Sequence, residues 1–220
     1  MEIFSIVSNG LVRSSKIEIR EATSNDAPSL ARLIDIAGEG IPDWLWRSMA
    51  APGQTALEVG ISRASRECGG FSYKNSIVAE LDGQVAGMML GYIVPEPQQV
   101  DIDSIGDLPE VFQPFIELEY QSVGTFYINA LAVFPGVRGH GIGRKLLQAA
   151  PRKASRLGTD CISIQVFSQN QGAVKLYENS GYDRVDSRPV LLHPCQPYYD
   201  EDVLLLKKSV KIGVDSEPDP

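Results

Sequence analysis

Apolar and polar residues change period several times along this chain, and each change marks an element. Ile17-Glu18-Ile19-Arg20 alternates apolar and charged side chains, the pattern of a half-buried strand. Thr23-Ser24-Asn25-Asp26 then supplies N-cap residues ahead of Leu30, Leu33, Ile34 and Ala37. That spacing predicts a helix, which Gly38 and Gly40 end. Trp44 to Arg66 predicts more helix, broken at Ala51-Pro52-Gly53. Ser76 to Glu80 and Gln84 to Val94 read as two strands around Asp82-Gly83, a hairpin signal. Pro95 to Gln121 is acidic and punctuated by proline. It is expected to hold no regular structure beyond a short helix near Val111 to Ile116.

Phe126 to Val133 is almost wholly apolar, as in a strand buried on both faces. A helix is predicted from Gly141, then a strand from Cys161 to Phe167 with Ile162, Ile164 and Val166 on one face. Helix Gln171 to Asn179 stops at Gly181, and Tyr182 to Ser187 and Val203 to Lys207 are the last strands. Met1 to Lys16 reads as a short extension or an edge strand. Residues 17–208 are expected to form a single domain with an insertion at about 95–121, and 209–220 a polar, disordered tail. The expected fold class is mixed α/β, with a mostly antiparallel sheet of about six or seven strands and helices on both faces. The strands at Phe126 and Cys161 should be parallel neighbours joined by the helix from Gly141.

Composition narrows the function. A hydrophobic content of 43% in 220 residues is enough to bury a core. No apolar run reaches the roughly 18 residues that a membrane span needs, and no secretory leader is evident at the N-terminus. Cys68, Cys161 and Cys195 are odd in number and far apart, with no metal-ligand or disulfide spacing. Idle thiols in a reducing compartment are the expectation, and the cytoplasm the expected location. A net charge of −8 argues against nucleic acid as a partner.

That average hides a division. Between Lys74 and Arg138 stand nine carboxylates and no cation, whereas Arg138 to Leu157 carries Arg138, Arg144, Lys145, Arg152, Lys153 and Arg156 with no acid. A basic patch in an acidic protein is either a solvated helix face or the seat of an anionic ligand.

The patch opens on the most informative segment, Leu131-Ala-Val-Phe-Pro-Gly-Val-Arg138-Gly-His-Gly141-Ile-Gly143-Arg144. An apolar strand runs into a glycine-rich turn, and the turn opens a helix. Backbone amides then converge where the helix dipole favours negative charge. Gly139, Gly141 and Gly143 admit a bulky anion to the backbone, and a pyrophosphate fits such a nest. The spacing is not the G-x-G-x-x-G of a dinucleotide fold, and Lys145-Leu146 does not complete a P-loop.

Arg138-x-x-Gly141-x-Gly143 resembles the Q/R-x-x-G-x-G/A acyl-CoA signature of the GCN5-related N-acetyltransferase (GNAT) superfamily. Downstream, Asn170-Gln-Gly-Ala-Val-Lys-Leu-Tyr177-Glu-Asn-Ser-Gly181-Tyr182 is similar to that family's second block, N-x-x-A-x-x-L-Y-x-x-x-G-F/Y. The resemblance is specific from Phe126 to Tyr182 and vague elsewhere. It implies a V-shaped splay between the two central parallel strands and acetyl-CoA as cosubstrate, with no metal. It also implies that the backbone of Leu131 and Val133 holds the thioester and pantetheine arm. Arg138, Gly139, His140, Gly141, Ile142, Gly143 and Arg144 would cradle the pyrophosphate. Asn170 would bond the cofactor's amide arm, and Tyr177 would protonate the leaving thiolate. Asn170 and Tyr177 are two helical turns apart and share a face, though periodicity alone equally suits Tyr177 as a core aromatic. Pro151 interrupts the helix from Gly141 and leaves open whether Arg152 and Lys153 reach the cofactor's adenosine end.

The general base is the least determined role. Glu117, Glu119, Tyr120, Tyr127 and Asn129 are available, with Glu119 first, because a carboxylate in a closed cleft is pushed toward neutrality. His193 is an alternative, but a lone His before Pro194 is more often structural. The acidic stretch before the Phe126 strand points to a cationic acceptor, a basic small-molecule amine or basic peptide end. Transfer to protein or peptide amines and a non-catalytic acyl-CoA sensor are the rival readings. A homodimer is compatible with each.

Overall fold

A computed structural model describes residues 16–97 and 109–210. Seven strands form one sheet in the order β1-β2-β3-β4-β5-β7-β6. They are β1 (Ile17–Glu21), β2 (Ser76–Leu81), β3 (Gln84–Ile93), β4 (Phe126–Val133), β5 (Cys161–Phe167), β6 (Asp183–Pro189) and β7 (Asp202–Ser209). Every pairing is antiparallel except β4 with β5. Asp82 and Gly83 both take positive φ, 51° and 79°, the turn that a two-residue hairpin between β2 and β3 requires.

The helices are α1 (Ala27–Ala37), α2 (Ile41–Met49), α3 (Ala56–Ala64), α4 (Gln113–Tyr120), α5 (Ile142–Arg156) and α6 (Gln171–Glu178). Alternation along the central strands divides the interior by face. Ile77, Ala79, Met89, Phe126, Ile128, Ile162 and Ile164 meet Leu146, Leu147, Ala150 and Ala154 of α5 and Val174 of α6. Val78, Met88, Leu90, Ala130 and Ala132 meet Leu30, Leu33 and Ile34 of α1, Val59 of α3 and Trp46 of α2. A smaller cluster under α4 joins Leu118, Phe167, Val203 and Leu205. Gly60 lets α3 lie against Trp46, whose ring atoms would stand 2.5 Å from an added Cβ.

Three expectations need correction. Helix α4 runs from Gln113 to Tyr120, so the acidic insertion delivers Glu119 from a helix end rather than a loop. Pro151 does not interrupt α5, which continues from Ile142 to Arg156. The buried side chains of Leu146, Leu147, Ala150 and Ala154 hold both halves against the sheet, and that packing outweighs one lost helical bond. The last two strands are shifted or longer than expected: β6 starts one residue later and ends two later, at Asp183–Pro189, and β7 extends past both expected ends, at Asp202–Ser209. Of the expected extension Met1 to Lys16, residues 1–15 lie outside the described residues; of the expected tail 209–220, Ser209 ends β7 and residues 211–220 lie outside them.

Candidate functional site

The site is built where β4 and β5 part. They pair only at Phe126–Ile162, Tyr127–Ser163 and Ile128–Ile164. Beyond that, β4 stays with β3 as far as Val133, and β5 stays with β7 as far as Phe167. A wedge opens between them. Phe134 donates to Ala86 of β3 at 2.9 Å. By strand alternation Ala132 also turns its amide and carbonyl to β3, so those of Leu131 and Val133 face the wedge. Arg138 Nε reaches the Val133 carbonyl from that side at 3.1 Å.

A glycine-rich loop and the N-terminus of α5 stand at the wide end of the wedge. Gly139 and Gly141 hold φ of 82° and 77°, and Gly141 is the N-cap of α5. An L side chain is strained at both positions although each has open space around it. Gly143 is different: a Cβ there would meet Leu176 of α6 at 3.2 Å, so its smallness serves helix packing. Among the described residues, no backbone amide from Gly139 to Arg144 donates to a backbone carbonyl, while Lys145 closes the first helical bond onto Gly141. This leaves a run of donors at a positive helix end, the arrangement that receives phosphate. The His140 ring folds back, with Nδ1 at 3.1 and 3.0 Å from the carbonyls of Val137 and Arg138, and so braces the loop.

Asn170 is the N-cap of α6. Its Oδ1 accepts from Ala173 N at 3.2 Å, and its Nδ2 donates to Glu39 Oε1 at 3.2 Å. Glu39 comes from the turn between α1 and α2, at a φ of 53°, and also accepts from Tyr199 of the β6–β7 connection at 3.3 Å. Burial pushes its carboxyl above the ordinary value, against the opposing pulls of Tyr199, Arg138 and Asn170. Tyr177 lies two turns after Asn170, only 5% exposed and packed beside Tyr182. Burial pushes its phenol well above the usual range, so the hydroxyl keeps its proton at neutral pH.

The carboxylate side of the site centres on a β-bulge. Leu90 pairs with Ala130 and Gly91 with Ile128, so Asn129 is the extra residue of β4. Its Nδ2 reaches the Tyr92 hydroxyl at 3.3 Å, and that hydroxyl lies 3.4 Å from Glu119 Oε1. The Tyr127 ring stands edge-on to Tyr92 at 6.0 Å. Burial raises the Glu119 carboxyl, and the Tyr92 hydrogen bond offsets only part of that rise. Of the residues singled out in the sequence, the structure thus gathers Glu119, Tyr127 and Asn129. Glu117 is bound to Arg188 at 2.8 Å and Tyr120 faces solvent. His193 lies 2.9 Å from the Cys195 sulfur and packs against Trp44. Tyr92 and Glu39 escaped sequence reasoning: one sits in an ordinary strand pattern, the other in a helix-ending turn. Among the described residues, no group of His, Cys, Asp and Glu has a metal-binding arrangement, and no helix is long and apolar enough to cross a membrane.

Several solved structures with the same architecture are titled acetyltransferases. One crystal structure titled an acetyltransferase aligns with 88% of this chain and all of its own at a TM-score of 0.61 and 24% identity. A second, a putative acetyltransferase from Salmonella typhimurium described with its cofactor acetyl-CoA, aligns with 92% of this chain and 98% of its own at 0.55 and 16%. Among curated proteins, N-alpha-acetyltransferase 30 of Saccharomyces cerevisiae is 41% identical over 59 residues, 27% of this chain and 34% of that protein. The uncharacterized N-acetyltransferase YhfO of Bacillus subtilis is 38% identical over 58 residues, 26% of this chain and 39% of its own. The chain thus spans little more than a third of these relatives. The model of the acetyltransferase (GNAT) family matches residues 41–182, more than half of the sequence, and the chain belongs to that family.

Proposed function

We propose that the protein transfers an acetyl group from acetyl-CoA directly to a primary amine. The observation that carries this reading is the run of uncommitted amides from Gly139 to Arg144 at the mouth of a wedge whose β4 edge is unpaired. The amides suit a pyrophosphate, and the wedge-facing main chain of Leu131 and Val133 suits an extended amide-bearing arm. Asn170 adds a side-chain amide where that arm would pass. Bound acetyl-CoA would supply an activated acetyl thioester.

The chain's own groups then divide the proton work. An ammonium has no lone pair to attack with, so its proton must leave first. Glu119, raised by burial and standing beside the bulge, takes it, directly or through Tyr92. As the amine nitrogen bonds to the acetyl carbon, the carbon–sulfur bond would break; Tyr177 would give its proton to the thiolate, and the second proton shed by the nitrogen would return to Tyr177 through solvent. A thiol of pKa about 8.5 is a good leaving group, and a still-protonated phenol can donate a hydrogen bond to the departing sulfur, although burial, by raising the phenol, opposes rather than assists the proton's release.

The acceptor we propose is a small molecule, cationic at its reacting end. Glu119 supports that, as a partly buried carboxylate beside the bulge, whereas Glu39 sits with Asn170, where the cofactor's arm would pass. The wider acidic stretch supports it less: Glu80 is tied to Arg20 and Glu117 to Arg188, and Asp101, Asp103 and Asp107 lie outside the described residues. A peptide end is the second reading, favoured by the likeness to N-alpha-acetyltransferase 30. The test is release of free CoA thiol from acetyl-CoA over a panel of small amines and short peptides. Amine-dependent release supports the proposal. Tight acetyl-CoA binding with no release for any amine would make the protein a sensor instead.

A further inference from the structure

A cleft of about 570 Å3 lies between α3 and the end of β3, and none of its lining residues belongs to the glycine loop. Arg63, Gly70, Phe71, Asn75 and Tyr92 are among its lining residues. Tyr92 ties it to the carboxylate cluster, because its ring forms the wall and its hydroxyl meets both Glu119 and Asn129. Gly70 lies close against that ring: a Cβ would stand 3.2 Å from it. Asn75 fixes the loop by donating to the carbonyls of Gly69 and Gly70, each at 3.0 Å.

Arg63 is the unusual lining residue. Its guanidinium lies 5.4 Å over the Phe71 ring, and among the described residues its one hydrogen-bond contact is with the Met49 sulfur, at 4.0 Å. Among the described residues, it is the one arginine that is partly buried and has no carboxylate partner; Arg20 and Arg188, buried to a similar degree, each have two. Burial first, and Arg66 second, disfavour its charge. A guanidinium nevertheless stays protonated in proteins. A partly desolvated cation without a counter-charge is unfavourable on its own, and an arriving anion removes the imbalance. The planar fork, stacked on an aromatic ring, matches the two oxygens of a carboxylate.

We propose that this cleft is an acceptor subsite for an anionic group, and that the acceptor is a small primary amine bearing a carboxylate. The carboxylate sits on Arg63 and the ammonium turns toward Glu119, so the two charges of one small zwitterion meet opposite charges on either side of Tyr92. This rests on the acyl-transfer reading above.

The experiment compares three matched probes, phenylalanine, phenylalaninamide and phenethylamine, as acceptors for the wild type, Arg63→Gln, Arg63→Lys and Arg66→Gln. The readout is kcat/KM for each amine at fixed pH and saturating acetyl-CoA. Taking each variant as a ratio to wild type cancels the amines' intrinsic reactivities. Arg63→Gln should lower the phenylalanine value by about 10- to 100-fold relative to the other two amines, the range of a charge-assisted hydrogen-bonded pair. Arg63→Lys should restore part of the preference, and Arg66→Gln, exposed and outside the cleft, should keep it. Acetyl-CoA affinity of each variant, measured by calorimetry, shows that it is folded. Amine-dependent turnover that is indifferent to the carboxylate, or unaltered in its preference by Arg63→Gln, overturns this inference and leaves the acyl-transfer reading standing. No turnover with any of the three amines counts against both.

Discussion

Replacing Gly141 by alanine separates backbone strain from ligand binding. Gly141 holds φ at 77° and an added Cβ would meet nothing within 4 Å, so strain is its whole effect on the free protein. An L residue in that region costs about 1–2 kcal/mol. At about 2–4 °C per kcal/mol for a chain of this length, the melting temperature should fall by about 2–8 °C. Relaxing the turn toward negative φ re-aims the amides on either side of it. Losing two hydrogen bonds to a charged group, at about 1.5–3 kcal/mol each, weakens acetyl-CoA binding by about 10²- to 10⁴-fold. Gly158 is the control. It has a φ of 80° in equally open space, in the turn between α5 and β5, far from the loop. Gly158→Ala should melt lower by a similar amount and bind acetyl-CoA as the wild type does. Calorimetric titration at one ionic strength, beside thermal melts, gives both numbers. Wild-type affinity in Gly141→Ala, or equal losses of affinity in both variants, would refute the placement of the pyrophosphate on this loop.

Three further outcomes follow from the proton donors and acceptors. Tyr177→Phe should lower kcat by about 10- to 1000-fold with little change in acetyl-CoA affinity, in single-turnover assays where chemistry limits the rate; an unchanged kcat would return Tyr177 to a purely structural place. Glu119→Gln should abolish the rise of wild-type kcat/KM with pH through the raised Glu119 titration, with a loss of about 100-fold at neutral pH. Because the folded-state value is raised, the ionised carboxyl destabilises the fold above it and costs nothing below the unfolded value of about 4.3. Glu119→Gln should therefore melt above the wild type at pH 8, with the gap closing toward pH 4. Asp26 has the opposite sign: Arg20, at 2.8 and 2.9 Å, and the Thr23 amide hold its carboxyl below the usual range. Asp26→Asn should cost about 1–3 kcal/mol at pH 7, from lost charge-assisted bonds, and the deficit should shrink as pH falls through the folded-state value.

The parts of the molecule that were legible in the sequence are those written in short-range patterns. The two-residue turn at Asp82-Gly83, the apolar run from Phe126 to Val133 and the glycines before Ile142 each impose their geometry within a few residues. Glu119 is reachable as a carboxylate near the fourth strand, although the helix expected near Val111 to Ile116 runs on to Tyr120 and so carries it. What stayed hidden depends on tertiary contact. Nothing about Glu39 in a Gly38-Glu39-Gly40 turn announces that it will accept from Asn170 and Tyr199. Tyr92 becomes part of the site only because a bulge at Asn129 turns an amide toward its hydroxyl. Pro151 misled in the other direction, since local helix chemistry forbids what buried packing at Leu147, Ala150 and Ala154 permits.

The central claim is that the wedge between β4 and β5 and the loop before α5 together hold the acetyl donor. A crystal structure of the protein with CoA tests it most directly. The account predicts pyrophosphate oxygens within hydrogen-bond distance of amides between Gly139 and Arg144, and the cofactor's arm along the main chain of Leu131 and Val133, with Asn170 beside it. CoA bound elsewhere, with β4 and β5 closed on each other beyond Ile128 and Ile164, would contradict it.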